Sequence, residues 1–284
     1  MRTRGAGLRK LLLWAAVAAA VAWTLFPLYV AAMTSIKPDS VGLPMVWLPY
    51  VDFRPTAAHW RWEWRERWNV DGIATAWKST VIVAAVSALA AVLVGLLAAV
   101  GLLRFRRGPL PVAVLVGLFV LPRAVPSVAL VAPFASLLQE AHLRDTHAGL
   151  ILAHVMLALP LAILLLDSAV REVPADLIDA AQLDGATWPR ATWQVIAPLV
   201  APMVAGAAVL TFALSWNEFV FALTNHGARV TTATVAVALM EEPDGIPFAH
   251  VGSHLVLIVG PPLLLALGTQ RFLVRGLTLG AVRG

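Results

Sequence analysis

Few side chains in this sequence are equipped for chemistry, and most of them stand in apolar surroundings. Arg123 lies between Pro122 and Pro126; Ser215, Asn217 and Glu218 fall within one greasy stretch; His154, His250 and His254 are scattered. A charged or strongly polar group at membrane depth is expensive, so each carries a functional expectation by default. Asn217 and Glu218 can contact a polar solute or hydrogen-bond between helices. Arg123 can line a solute path, pair with a carboxylate of a neighbouring chain, or mark a helix break beside a watery vestibule. The histidines lack metal-ligand spacing, so no metal site is expected. With no cysteine in the chain, disulfides, thiolate metal sites and cysteine nucleophiles are excluded.

The elements that hold these residues follow from composition. Of 284 residues, 60% are hydrophobic and 13% charged, against about a quarter charged in soluble domains. One core cannot hide that much apolar surface, so a bilayer must be the solvent. The net charge of +5 does not point to nucleic acid. Basic residues gather just outside apolar runs: Arg2, Arg4, Arg9 and Lys10, then Arg104, Arg106 and Arg107, then Arg271, Arg275 and Arg283. Lipid headgroups and topology explain that distribution.

Six apolar runs are legible, at 11–34, 80–103, 110–138, 148–166, 199–223 and 251–267. Each approaches the ~20 residues a helix needs to cross the hydrocarbon. The first is too long for a cleaved signal peptide and reads as a retained helix. Basic flanks place both termini and the 104–107 turn in the cytoplasm. The 37–78 loop then falls outside, where Trp60, Trp62, Trp64 and Trp68 suit either a membrane interface or an ordinary packed loop. The fold class is therefore an all-α polytopic membrane protein of about six transmembrane helices, N-in and C-in.

Between the fourth and fifth runs lies a polar cytoplasmic stretch, 171–198, longer than a turn needs. Pro174 can open a helix, and Asp176 and Asp179 suit its positive start. Leu177, Ala180, Ala181 and Asp184 share a face small enough for close approach. Gly185 can stop that helix in the left-handed conformation. Thr187 then caps a second helix that tolerates Pro189 in its first turn, and Pro198 marks the return to the membrane. From the residues alone, this helix–Gly–helix knuckle is either a docking element or an amphipathic connector lying on the bilayer.

Asp179-Ala180-Ala181, Gly185 and Ile196-Ala197-Pro198 resemble the EAA loop of binding-protein-dependent ABC importer permeases, Glu-Ala-Ala, Gly, then Ile-x-Leu-Pro. Asp179 stands where Glu is usual, keeping the carboxylate on a shorter arm, and Ala197 where Leu is usual. Thr34-Ser35-Ile36-Lys37-Pro38, Ser215-Trp216-Asn217-Glu218-Phe219 and the Arg275-Gly276-Leu277-Thr278 ending are similar to elements of the carbohydrate, maltose-type branch. Together these span nearly the whole chain in the family's order. The resemblance implies a region 1–78 of first helix and external loop, then a permease domain 79–284 with EAA loop 171–198. It implies a sugar or oligosaccharide as solute, with glycerol phosphate or another polar metabolite as the alternative. It implies a second permease, two ATPase subunits and an extracytoplasmic solute-binding protein as partners. ATP and Mg would sit in the ATPase, with no cofactor in this chain, which lacks a G-x-x-x-x-G-K-[ST] phosphate loop. Asp179, Ala180, Ala181, Asp184, Gly185, Ile196 and Pro198 would then be ATPase-coupling residues, and Asn217 and Glu218 would lie along the pathway.

Two rival classes remain on the residues. Ser215 and His254 could imitate the dyad of an intramembrane hydrolase, although a rhomboid-like enzyme would want glycine where Ala213 stands. A self-sufficient secondary transporter would show paired repeats and matched broken helices, and none is evident.

Overall fold

The computed structural model describes residues 2–38, 48–62, 73–104, 117, 121, 125–240 and 248–279. Among them all regular structure is helical, apart from an isolated bridge between Pro49 and Phe53. A bilayer offers the backbone no hydrogen-bond partner, and a helix satisfies its N–H and C=O groups internally. The long helices are α1 (Arg2–Ser35), α3 (Ile73–Arg104), α5 (His147–Arg171) and α11 (Phe248–Leu279). Each contains a segment long and apolar enough to cross a membrane. Large apolar side chains point outward along them, among them Trp23 at 83% exposure and Leu89 at 70%.

By its internal contacts the chain forms two compact units, residues 1–73 with 239–260 and residues 74–238 with 261–284. In the first unit, α2 (Ala58–Trp62) is tied to the end of α1. The Trp60 indole donates to Ser35 Oγ at 3.3 Å, and His59 Nε2 lies 2.9 Å from the Lys37 carbonyl. Trp60 is therefore part of a packed loop. The Trp62 side chain, Trp64 and Trp68 lie outside the described residues.

In the second unit, α3 and α5 meet through small residues. A Cβ on Gly95 would come 3.0 Å from that of Ala162, and Ala91, Ala158 and Ala162 form a buried cluster. Small residues let helix backbones approach closely where lipid supplies no hydrophobic drive. The 141–146 turn is clasped by Asp145, whose carboxylate accepts the Arg229 and Val230 N–H groups.

Two of the expected spans need comment. Of the third, 110–138, the described part is mainly α4 (Ser127–Glu140), a 14-residue apolar helix. The fifth, expected as one run over 199–223, is broken. Helix α9 (Ala201–Trp216) stops, residues 217–219 are not helical, and α10 (Val220–Asn225) starts afresh. The cause is local polar chemistry. The Asn217 side chain donates to Ala213 O, and the Glu218 carboxylate accepts the Phe221 and Ala222 N–H groups in the first turn of α10. At its other end α9 is bent by 81° from the helical segment Trp188–Leu199. Counting that pair as one span makes five crossings among the described residues.

Candidate functional sites: an exposed knuckle and a buried break

The knuckle starts where α5 ends. Arg171 holds Asp167, one turn back, through two nitrogens at 2.6 and 2.7 Å. Helix α6 (Ala175–Leu183) follows, with Pro174 at its N-cap and Asp176 in its first turn. It closes in a Schellman motif: the Gly185 N–H donates to Gln182 O, and the Ala186 N–H to Ala181 O. That arrangement requires a left-handed residue at the turn, and Gly185 has φ of +84°. The short helix α7 (Trp188–Ala191) has Thr187 at its N-cap, but the threonine side chain makes no capping bond. Pro189 in the first turn has no N–H to offer, which lowers the need for one. A π-helical turn, Thr192–Ile196, and the single turn α8 (Ala197–Leu199) lead to α9.

This segment has an apolar root and an open face. Ile178 and Ile196 are buried in one cluster with Val92, Leu96, Val170 and Val200, against which Val173 and Trp188 also pack. The Arg104 guanidinium lies 4.9 Å from the Trp188 ring centroid, pinning the end of α3 to α7. On the other side Leu177 is 45% exposed and Leu183 88%, with Asp179, Ala180, Asp184 and Gly185 also exposed and Ala181 half-buried. The residues singled out from sequence thus divide. Asp179, Ala180, Asp184, Gly185 and the exposed Pro198 lie outside, whereas Ile196 is an anchor with no exposure. Sequence reasoning missed Ile178, Arg104 and Trp188; the apolar Ile178, one residue before Asp179, was the available signal.

The second site is the break after α9. His154, on α5 and 2% exposed, bridges it. Its Nδ1 lies 2.6 Å from Ser215 Oγ at the end of α9, and its Nε2 lies 3.3 Å from Glu218 Oε2. Glu218 also accepts the Phe221 N–H on Oε1 and the Ala222 N–H on Oε2, each at 3.0 Å. Asn217 is exposed and folds back on its own helix. Trp216 is buried, edge-on to Trp77 and stacked on Phe212. A cavity of about 160 Å³ borders the network, lined by Ser127, His154, Leu157, Ala158, Ser215 and Glu218 among others. Arg123 lies outside the described residues. No group of three potential metal ligands occurs among the described residues.

The fold is that of a polytopic helical membrane protein with an exposed helix–Gly–helix knuckle. The family model "Binding-protein-dependent transport system inner membrane component" matches residues 91–277. The chain belongs to this family, and it is a permease subunit of an ABC importer in the inner membrane. It is 40% identical over 177 residues to the Trehalose transport system permease protein SugB of Mycobacterium tuberculosis (strain CDC 1551 / Oshkosh), covering 60% of this chain and 63% of that protein. It is 34% identical over 213 residues to the Trehalose/maltose transport system permease protein MalG of Thermococcus litoralis, covering 73% and 74%. A solved bacterial ABC transporter involved in the import of the acidic polysaccharide alginate has the same fold, with a TM-score of 0.73 at 18% identity over 95% of this chain and 98% of that one.

Membership of this family replaces the hydrolase reading. That reading paired Ser215 with His254; the Ser215 hydroxyl lies 2.6 Å from Nδ1 of His154.

Proposed function

We propose that this permease takes its energy through the 171–198 knuckle from a separate ATPase pair, which binds the ATP and Mg, and moves a sugar or oligosaccharide. A second permease completes the pore and an extracytoplasmic binding protein delivers the solute. The termini and the knuckle face the cytoplasm, in keeping with the basic flanks.

The observation that carries this reading is the division of the knuckle. An exposed face of Leu177, Asp179, Ala180, Leu183 and Asp184 sits on a root formed by Ile178 and Ile196. A docking element needs both: a surface to be gripped, and stiffness to pass the movement on. A connector lying on lipid would turn its apolar side chains to the bilayer, whereas Ile178 is buried within the protein. Closure of the ATPase pair pushes α6, and the root carries the push into α5 and α9, alternating the access of the pore. Asn217 and Glu218 lie along the solute path. The names of the relatives, which specify trehalose and maltose, support a carbohydrate solute.

The test is co-purification of the mildly solubilised chain with its partner subunits, beside a double charge reversal, Asp179→Lys with Asp184→Lys. An ATPase and a second permease accompany the wild type, and the ATPase alone is lost from the variant. A chain that purifies without any ATPase would sink the proposal.

A further inference from the structure

We infer that the cavity beside the α9–α10 break is a subsite for one sugar ring, held by its hydroxyls, so that this chain itself contacts the solute. The inference rests on the carbohydrate-import reading and adds a place and a chemistry to it.

Four polar side chains meet there: Ser127, His154, Ser215 and Glu218. Their hydrogen bonding is incomplete at one atom. His154 Nε2 is buried and 3.3 Å from Glu218 Oε2, yet it is not aligned for a hydrogen bond. Leaving a buried polar atom without a good partner is costly, so a ligand that supplies one gains that free energy back. Each Glu218 oxygen accepts one backbone N–H and retains a second lone pair. Imidazole, carboxylate and hydroxyl side by side offer both donors and acceptors. A sugar hydroxyl, itself donor and acceptor, is the group that uses both.

Competing ligands fit less well. Among the described residues the lining contains no Lys or Arg, and Glu218 repels an anion. A divalent cation would want more ligands, and no group of three His or carboxylate residues exists among the described residues. Leu157, Ala158 and Leu214 make part of the lining apolar, which suits the C–H face of a ring. At about 160 Å³ the space is well under the ~300–1,000 Å³ of drug-sized sites, and suits one ring rather than two. Ser127 is exposed, so the cavity has an open rim.

The absence of native cysteine makes the test direct. The importer is assembled in proteoliposomes with its binding protein and cysteine-free partner subunits. Uptake is first measured with [14C]-labelled trehalose, maltose and raffinose. Ser127→Cys is then alkylated with N-ethylmaleimide, with and without whichever of these sugars is taken up. Saturating sugar is expected to slow alkylation at least fivefold, while Ser136→Cys, exposed on the same helix away from the cavity, keeps its rate. Adding Leu214→Trp, which narrows the cavity from a lining position outside the α3–α5 contact and leaves its polar groups in place, should abolish the protection and lower uptake at least fivefold. Uptake of a sugar without protection of Ser127→Cys, or with equal protection of Ser136→Cys, would overturn the subsite and leave the carbohydrate reading standing. If none of the sugars is taken up, the carbohydrate reading fails and the subsite with it.

Discussion

Both sites of the second unit set a carboxylate at the start of a short helix, and they do so in opposite surroundings. In α6, Asp176 stands exposed in the first turn, where it complements the helix dipole and interacts with water. In α10, Glu218 is largely enclosed, and its two oxygens take the Phe221 and Ala222 N–H groups. The knuckle keeps its charges outside and its stability in an apolar root. The break turns this inside out: His154, Ser215 and Glu218 are internal, and the surrounding helices supply the greasy exterior. An element pushed by another protein needs a free polar face, whereas an element beside a solute path needs internal hydrogen-bonding capacity. The contrast predicts that apolar truncation harms the first site most and loss of a carboxylate harms the second.

The largest effect is expected at the knuckle root. Ile178→Ala should cost about 2–5 kcal/mol through the cavity it leaves. Leu177→Ala, one residue away on the exposed face, should stay within about 0.5 kcal/mol. Heating the solubilised protein before size-exclusion chromatography compares the two. Equal losses would mean that the root does not anchor the knuckle.

Next comes the break. Glu218→Ala strands the Phe221 and Ala222 N–H groups, at about 1–3 kcal/mol. Glu218→Gln, which keeps an acceptor oxygen, should recover part of that in the same heating assay. If alanine and glutamine are equally mild, the carboxylate is not the cap of α10.

Gly185→Ala should cost about 1–2 kcal/mol, because a Cβ disfavours the left-handed conformation. No neighbouring atom lies within 4 Å of that Cβ, so the loss is conformational rather than steric. A stability unchanged from wild type would mean that the turn can be remade without its positive φ.

The smallest effect belongs to Asn217→Ala. It removes one exposed bond to Ala213 and should lower stability by less than about 1 kcal/mol. A loss larger than that of Glu218→Ala would reverse the ranking within the break and make Asn217 its main support.

The class of protein was legible in composition and hydropathy. Apolar runs of about 20 residues read as helices in a bilayer, because a helix satisfies the backbone of so long a segment internally. The stop of α6 was legible as well, since glycine is the residue that tolerates the left-handed conformation at a helix end. The pattern around Asp179, Gly185 and Pro198 carried the family. Tertiary structure decided what each of those residues does. Ile178 and Ile196 were two more apolar letters in an apolar chain until folding brought them together as a root, and no periodicity could show that Arg104 would lie on the Trp188 ring. His154 is the clearest case: its partners stand 61 and 64 positions further on, and one of them terminates a helix that hydropathy alone would run on to residue 223. Hydropathy averages over a window, whereas a helix is broken by one or two polar side chains that compete for its end groups. Only the packing of α5 against α9 decides where those side chains find their partners.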